Sequence, residues 1–540
     1  MSLYASIDVP ASGSIQRTST YIHTPDPATP SFIIDSSRKS YRHQYSNIYF
    51  IRLQKLKEVV EARALRRWGS LAGNPVLVPR ALEIEKGKLC YVIGTVYMDM
   101  PLKPNVMIDI ARDQSIPPPP LPEKFFSPND NVMLEDESGR IKLVGDCVKN
   151  AMLVTGVIIG ALGMETPGGV FEVIDICYAE MAPQTQQDDE ETRMDIDDST
   201  DTSLSDEWIG VVSGLEIGSP SPADAQIQML VEYLTGEGGC LDDQVSASQI
   251  SRLIIAGDSL QSLGPIPGER ETILSAAERK AQRHGYDSAS FSPRPIIELS
   301  STLHDLATSI PINILPGESD PSGTLMPQQP FPRALFGDAS RYPTMTCETN
   351  PTYLTIASCS ESGPTNSKSP RPPVKRKVLI NSGQPLNDMF KYLSSPPNTR
   401  LSVLASTLRW RHMAPTAPDT LWCHPYFNED PFLITETPDI YIVGGQKRFG
   451  TKLVTDQQTG SKGKSPARCR VILIPSFAQT GILVLVNLRT LAVKCVNFSM
   501  YGMSAGGKPE IKEEPSDAPS PITAEPQPSA PTSSMDYEFD

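Results

Sequence analysis

The sequence predicts an α/β fold preceded by a small all-β barrel, with strongly acidic segments outside both. Three observations carry this. From Trp208 to about Phe498, apolar runs of strand length alternate with stretches of helical period, the pattern of layered α/β architecture. Between Lys88 and Ala179 about five short β-prone runs follow one another, separated by turn residues. The net charge of −15 is local. Asp188 to Asp206 holds nine acids and one arginine, and Lys508 to Asp540 holds eight acids and two lysines, so the remainder is nearly neutral.

With 540 residues the chain exceeds what one core supports, so two folded domains are expected, with solvated segments around them. No run of 18 apolar residues occurs, and Met1 to Asp8 lacks the basic-then-apolar pattern of a secretion signal. Neither a membrane span nor export is predicted. Nine cysteines are scattered with no C-x-x-C, which excludes a zinc knuckle or a disulfide framework and predicts reduced thiols.

Residues 1–40, rich in Ser, Thr and Pro, read as a disordered lead-in. The segment 41–75 holds a helix capped by Ser46 or Asn47 and ended at Gly69. Its buried stripe is Tyr49, Leu53, Leu56, Val60, Ala64 and Trp68, and Arg52, Lys55, Lys57, Arg63, Arg66 and Arg67 form a solvated face. Residues 76–182 hold the barrel. Its strands are Leu89–Met98, Val132–Leu134, Arg140–Val144, Met152–Leu162 and Val170–Tyr178, with a hairpin turn at Gly139, and their number and spacing fit an OB-type barrel. These strands supply few aromatics (Tyr91, Tyr97, Phe171, Tyr178) and little Lys or Arg, which favours a protein-binding barrel over a strand-binding one. An acidic linker (183–206) leads to the α/β domain (207–502). There Ala223–Tyr233 and Gln384–Leu393 read as helices, and Tyr441–Val443, Val471–Pro475, Ile482–Asn487 and Ala492–Phe498 as strands. A flexible insertion is expected at about 357–377 and a disordered acidic tail at 503–540.

Four stretches share one grammar, an apolar β-run stopped by Gly or Pro-Gly and followed by polar side chains. They are Val211–Ser219, Leu253–Leu260, Ile312–Pro321 and, more loosely, Ile440–Lys447. Parallel strands deliver site residues in this way at their carboxyl ends, so the four tips are expected to converge.

These tips resemble degraded motifs of the calcineurin-like metallophosphoesterases, whose two-sheet α/β fold is therefore expected here. In that family D-x-H, G-D-x-x-D, G-N-H-D/E, a further His and G-H-x-H hold two metals that activate water. Gly214 and Glu216 stand where the first Asp and His belong. Gly257-Asp258 survives, but Gln261 replaces the second Asp. Gly317-Glu318-Ser319-Asp320 replaces G-N-H-D, and Gly444-Gly445-Gln446-Lys447 replaces G-H-x-H, with Lys447 bringing a cation where a metal belongs. None of the six histidines (His23, His43, His284, His304, His412, His424) falls in these motifs. Two adjacent metals need several imidazoles and carboxylates. The site is therefore read as vestigial, with no catalytic residue, no metal and no cofactor.

An inactive phosphoesterase domain behind an OB barrel is similar to the small, regulatory (B) subunits of replicative DNA polymerases, and closest to the delta type. The motifs are V-S-G-L-E-I-G-S, L-I-I-A-G-D-S-L, L-P-G-E-S-D-P, S-G-Q-P-L-N-D (Ser382–Asp388), A-P-T-A-P-D-T-L-W-C (Ala414–Cys423) and Y-I-V-G-G-Q-K-R-F-G-T (Tyr441–Thr451). Trp422 and His424 depart from the family pattern. The resemblance spans roughly residues 40–500. It implies a nuclear, non-catalytic scaffold in DNA replication and repair synthesis. The implied partners are the cysteine-rich C-terminal domain of the delta catalytic subunit and a further accessory subunit. The sliding clamp is then reached indirectly, and DNA mainly through the complex. The alternatives are a metal-dependent phosphoesterase with a rewired site around Asp258, Glu216 and Asp320, and an OB-type single-strand binder. Lys375, Arg376 and Lys377 read as a nuclear import signal if the insertion exposes them, and Lys512 resembles a SUMO acceptor.

Overall fold

The computed structural model describes residues 15–35, 41–104, 122–185, 207–219, 223–261, 293–358, 374–456 and 466–498. The tail with Lys512, the linker from residue 186 to 206 and the insertion from 359 to 373 lie outside the described residues.

The lead-in departs from expectation. Thr20–His23 forms a strand, β1, paired antiparallel with Thr355–Ser358, and the segment before it is pinned by Arg17. The Arg17 guanidinium donates to the carbonyls of Leu234, Ala247 and Ile250. A four-residue strand has no stability of its own, and it forms only because a sheet edge offers unpaired backbone groups.

Helix α1 (Asn47–Trp68) follows, flanked by Ser46 and Gly69 as the sequence suggests, with Arg66 and Arg67 in the last turn complementing its dipole. Leu56, Val60, Ala64 and Trp68 are buried along one stripe. Val60 and Trp68 pack close over Gly160 of the barrel, where a Cβ would lie 3.2 Å from Val60. Arg52, expected among the solvated cations, is instead fully buried.

The barrel consists of β2 (Val76–Leu77), β3 (Cys90–Asp99), β4 (Asn131–Glu135), β5 (Arg140–Val144), β6 (Ile158–Glu165) and β7 (Phe171–Cys177). Its order is β2-β3-β4-β5-β7-β6, and the β3–β6 pairing closes it. The β4–β5 turn is held by Asp136, whose Oδ1 accepts from the amides of Ser138 and Gly139. Tyr91 and Phe171 are buried in packing rather than presented on a face.

The α/β part is built of two six-stranded sheets. The first contains β8 (Trp208–Val212), β9 (Ile250–Ala256), β10 (Ile312–Leu315) and β11 (Met345–Cys347), all parallel. The second contains β1, β12 (Thr352–Ser358), β13 (Lys375–Asn381), β14 (Ile440–Gln446), β15 (Gly450–Thr455) and β16 (Arg468–Pro475). Antiparallel β17 (Ile482–Asn487) and β18 (Val493–Asn497) complete the first sheet beside β8. The sheets pack face to face through Ile209, Val211, Ile254, Val484 and Val486 on one side and Ile356, Val378, Ile380, Ile440, Ile442 and Ile472 on the other. Alternation does the rest. Tyr441, Val443, Val471 and Leu473 point to the opposite face, where helices Gln384–Lys391 and Arg400–Trp410 lie. That outer core runs without a break into the barrel core through Phe125, Tyr392 and Met98. The described residues accordingly fall in one compact unit. Helices Asp224–Thr235 and Arg294–Ala307 cover the outer face of the first sheet. Among the described residues no helix is long and apolar enough to cross a membrane.

The edges of the expected insertion are also ordered. Residues 357–358 and 375–377 belong to β12 and β13. Arg376 is buried and donates through Nε to the carbonyl of Leu488, and Lys377 is ion-paired with Glu436. The expectation of a flexible, exposed basic cluster at Lys375–Lys377 is thus corrected: these residues form a sheet strand. Pro183–Thr185, assigned to the linker, are held as well, with Gln184 Nε2 donating to Asp439 at 3.0 Å.

Candidate functional site: the strand-end cluster and the clasp beside it

The four tips do meet. Gly214 donates its amide to the carbonyl of Gly257 (2.9 Å), and the Gly445 amide reaches Ser213 Oγ (2.9 Å). The approach is too close for side chains. A Cβ at Gly257 would lie 2.3 Å from Ser382 Cβ, and one at Gly317 would lie 2.2 Å from the Asp258 amide nitrogen. A Cβ at Gly445 would likewise lie 2.7 Å from the Ser382 carbonyl and 3.1 Å from Asp258 Oδ2. Two non-glycine residues here, Glu216 (φ 48°) and Asp258 (φ 55°), adopt the left-handed conformation that L side chains disfavour. Such strain persists only where the surroundings over-determine it.

The carboxylates at the tips are already engaged. Asp258 Oδ1 accepts from Ser319 N (3.0 Å) and Ser319 Oγ (3.1 Å). Asp320 Oδ1 accepts from the Leu260 amide (2.8 Å) and Oδ2 from the Gly317 amide (2.7 Å). Burial raises the Asp320 carboxyl to about 7, against the opposing pull of those backbone donors. Glu216 Oε1 accepts from Ser476 Oγ (2.8 Å). Glu318 is exposed and Gln261 half-buried, its amide on the carbonyl of Ile217. Lys447 is exposed too, so the expected cation in the metal position is corrected. The inward side chain at that tip is Gln446, which receives Arg400 at 3.1 Å.

The centre of the cluster holds residues that the motif comparison missed. Asn350 Nδ2 donates to Gln328 Oε1 (2.7 Å) and Gln384 Oε1 (3.0 Å), and its Oδ1 accepts from the Ser382 amide. Gln328 Nε2 donates to the carbonyl of Gly317 (2.9 Å). The signal for this network was S-G-Q-P at Ser382, but nothing local marks Gln328 or Asn350. A two-metal centre does not fit these residues. Neutral amides and hydroxyls fill the space, and no group of three or more His, Cys, Asp or Glu is placed to hold an ion among the described residues.

A second polar cluster lies where α1, the barrel and the α/β part join. Arg52 Nε meets Asp430 Oδ2 at 2.8 Å. Its Nη1 donates to the carbonyls of Pro415 (2.7 Å) and Gly156 (3.2 Å), and Nη2 to that of Ala417 (3.0 Å). His412 Nδ1 accepts from the Ala414 amide, so Nε2 carries the proton and donates to Asp430 Oδ2 at 2.8 Å. Burial, with Arg52 close by, lowers His412 to about 4, and the two partners hold Asp430 well below the usual carboxylate range. Asp419 extends the clasp, accepting from Lys103 (2.7 Å) and the Tyr392 hydroxyl (3.0 Å). The A-P-T-A-P-D-T run is thus a loop whose carbonyls and carboxylate grip the helix and the barrel.

Sequence comparison agrees with both parts. Residues 44–176 match the family described as DNA polymerase delta subunit OB-fold domain. Residues 209–362 and 374–451 match the family of the B-type subunits of DNA polymerases alpha and epsilon. The DNA polymerase delta small subunit of Arabidopsis thaliana is 35% identical over 463 residues, covering 86% of this chain and 93% of that protein. The chain belongs to the DNA polymerase delta small-subunit family. The member from Saccharomyces cerevisiae is 31% identical over 500 residues (86% of this chain, 91% of the relative). The DNA polymerase delta subunit 2 of Drosophila melanogaster is 30% identical over 463 residues (85% and 94%). The chain is therefore an accessory subunit of this polymerase rather than its catalytic chain. The family's barrel match begins at residue 44, within three residues of the start of α1, so the clasp residue Arg52 falls inside it.

Proposed function

We propose that this chain is a non-catalytic scaffold that holds other subunits of DNA polymerase delta together in the nucleus during replication and repair synthesis. The observation that carries the reading is the filled strand-end cluster in a member of a small-subunit family. Where a phosphoesterase would keep an open, ligand-rich pocket, glycine backbones and an amide network close the space. The clasp supports it further, because a scaffold transmits geometry only if its own domains are fixed relative to each other. The partners in this reading are the cysteine-rich C-terminal domain of the catalytic subunit and a further accessory subunit, with the sliding clamp reached indirectly and DNA contacted mainly through the assembly. The basic strand Lys375–Lys377 gives no support to an import signal, so nuclear entry in this reading rests on the assembly.

The test is affinity purification of the tagged full chain from nuclear extract, with mass spectrometry of what is retained, alongside a manganese-supplemented phosphodiesterase assay. The expected result is recovery of a large polymerase chain and no turnover. Recovery of no polymerase, or turnover that Asp258→Asn abolishes, overturns the scaffold reading.

A further inference from the structure

A groove of about 330 Å³ opens between the first turns of α1 and the barrel, away from the strand-end cluster. Tyr49, Phe50 and Leu53 of the helix form one wall, and Tyr97 of β3 the other. Phe50 is 54% exposed, so the apolar lining reaches the surface. The volume is at the low end of the ~300–1,000 Å³ range of ligand pockets, the size of one or two side chains rather than of a cofactor.

The rim is predominantly acidic. Glu135, Asp136, Glu137 and Asp419 line the groove, with Arg140 as the single lining cation. Glu135 is paired with Arg140 (3.2 Å) and Asp419 with Lys103 (2.7 Å). Asp136 is engaged by the turn it holds, which keeps its carboxyl ionised, below the ordinary range. Glu137, at the tip of that turn, is exposed and has no ion pair among the described residues. Arg140 and Lys103 flank the Tyr97 ring at 4.2 Å and 4.5 Å, fixing it as a rigid wall.

From this we infer that the groove between α1 and the β4–β5 turn is a docking site for a peptide segment carrying an aromatic anchor flanked by Lys or Arg. The anchor lies against Tyr49, Phe50 and Tyr97, and the flanking cation meets Glu137. Aromatic anchors in desolvated pockets dominate such interfaces, and rim charges select the partner. An acidic peptide meets the same exposed Glu137 and is expected to bind more weakly.

The test is fluorescence anisotropy on the full chain with three labelled hexapeptides: alternating Lys-Phe, Glu-Phe and Lys-Ser. The Lys-Phe peptide is expected to bind at least about tenfold more tightly than either of the others. Phe50→Ala and Glu137→Lys, both at exposed side chains and expected to keep the parental thermal midpoint, should each weaken it by about tenfold. Equal binding of Lys-Ser would mean that only the acidic segments attract the probe. Unchanged Lys-Phe binding in both variants would place any binding elsewhere. Either result overturns the groove.

Discussion

The strand-end cluster and the Arg52 clasp both bury several polar groups, yet they are made of opposite materials. The centre of the cluster is made of amides, hydroxyls and backbone, with Asp320 beside it pushed toward its neutral form. The clasp buries a guanidinium against a carboxylate that stays ionised. The difference follows from what already fixes each place. The tips are set in register by β-ladders on both sheets, so a neutral network is enough to fill the space between them. Among the described residues no ladder joins the barrel strands to either sheet, and there a directional, mutually compensated ion pair adds to the shared apolar core.

The sharpest way to break this comparison is to remove Arg52. Arg52→Ala leaves Asp430 as a buried charge and three carbonyls unpaired, and should destabilise the chain by about 3–5 kcal/mol in urea unfolding. A loss below about 1 kcal/mol would mean that water can replace the guanidinium, and the clasp would then be ornament. Next in size is Gly257→Ala, which combines a positive φ of 86° with a 2.3 Å collision with Ser382. A cost of about 1–3 kcal/mol is expected, and none at all would show the tips looser than they look.

Acid should separate the two regions. His412 titrates lower folded than unfolded, so its contribution is complete above about 6.5 and lost as pH falls toward about 4. Asp430 is depressed as well and adds to the loss at lower pH. Asp320 runs the other way. Its folded value of about 7 lies above that of the unfolded chain, so its contribution is present in acid and lost as pH rises through about 7. Urea midpoints across pH 4–8 should therefore flatten on the acid side in His412→Asn and on the neutral side in Asp320→Asn. Identical pH profiles for the two variants would refute the contrast. The smallest effect belongs to Lys447→Ala, at an exposed side chain, which should stay within about ±0.5 kcal/mol of the parent. A chelator is likewise expected to leave the thermal midpoint in place, and a clear drop would point to a metal that the strand-end donors do not explain.

Much of the architecture was legible because it is periodic. Alternation in Ile440–Val443 already separates the side chains facing the first sheet from those facing the helices. Ser46 and Gly69 bracket α1, and the strand-and-turn spacing of 89–178 gives the barrel. The convergence of the strand tips was legible too, since each β-run stops at a glycine or Pro-Gly followed by polar residues. The network that fills their space was not, because Gln328 and Asn350 lie on irregular connections with no period to betray them. Helices Arg294–Ala307 and Arg400–Trp410 were passed over as well, and their apolar stripes gain meaning only against the sheets they cover.

What the sequence determined by itself is whatever a local repeat or a local absence can encode: strands, the first helix, the barrel, the acidic segments and the absence of histidine from the strand-end motifs. Tertiary structure alone decided the fate of single residues whose partners are distant. Arg52 sits on a helix face that reads as solvated, and it is buried because Asp430, 378 residues later, compensates it. Residues 20–23 become a strand because the edge at 355–358 accepts them. Lys375–Lys377 read as a flexible basic tag, and they are a strand because β12 pairs with all three and Asp439 engages Lys377 on the other side. In each case burial is favourable only when the compensating group arrives, and that group is placed by the fold.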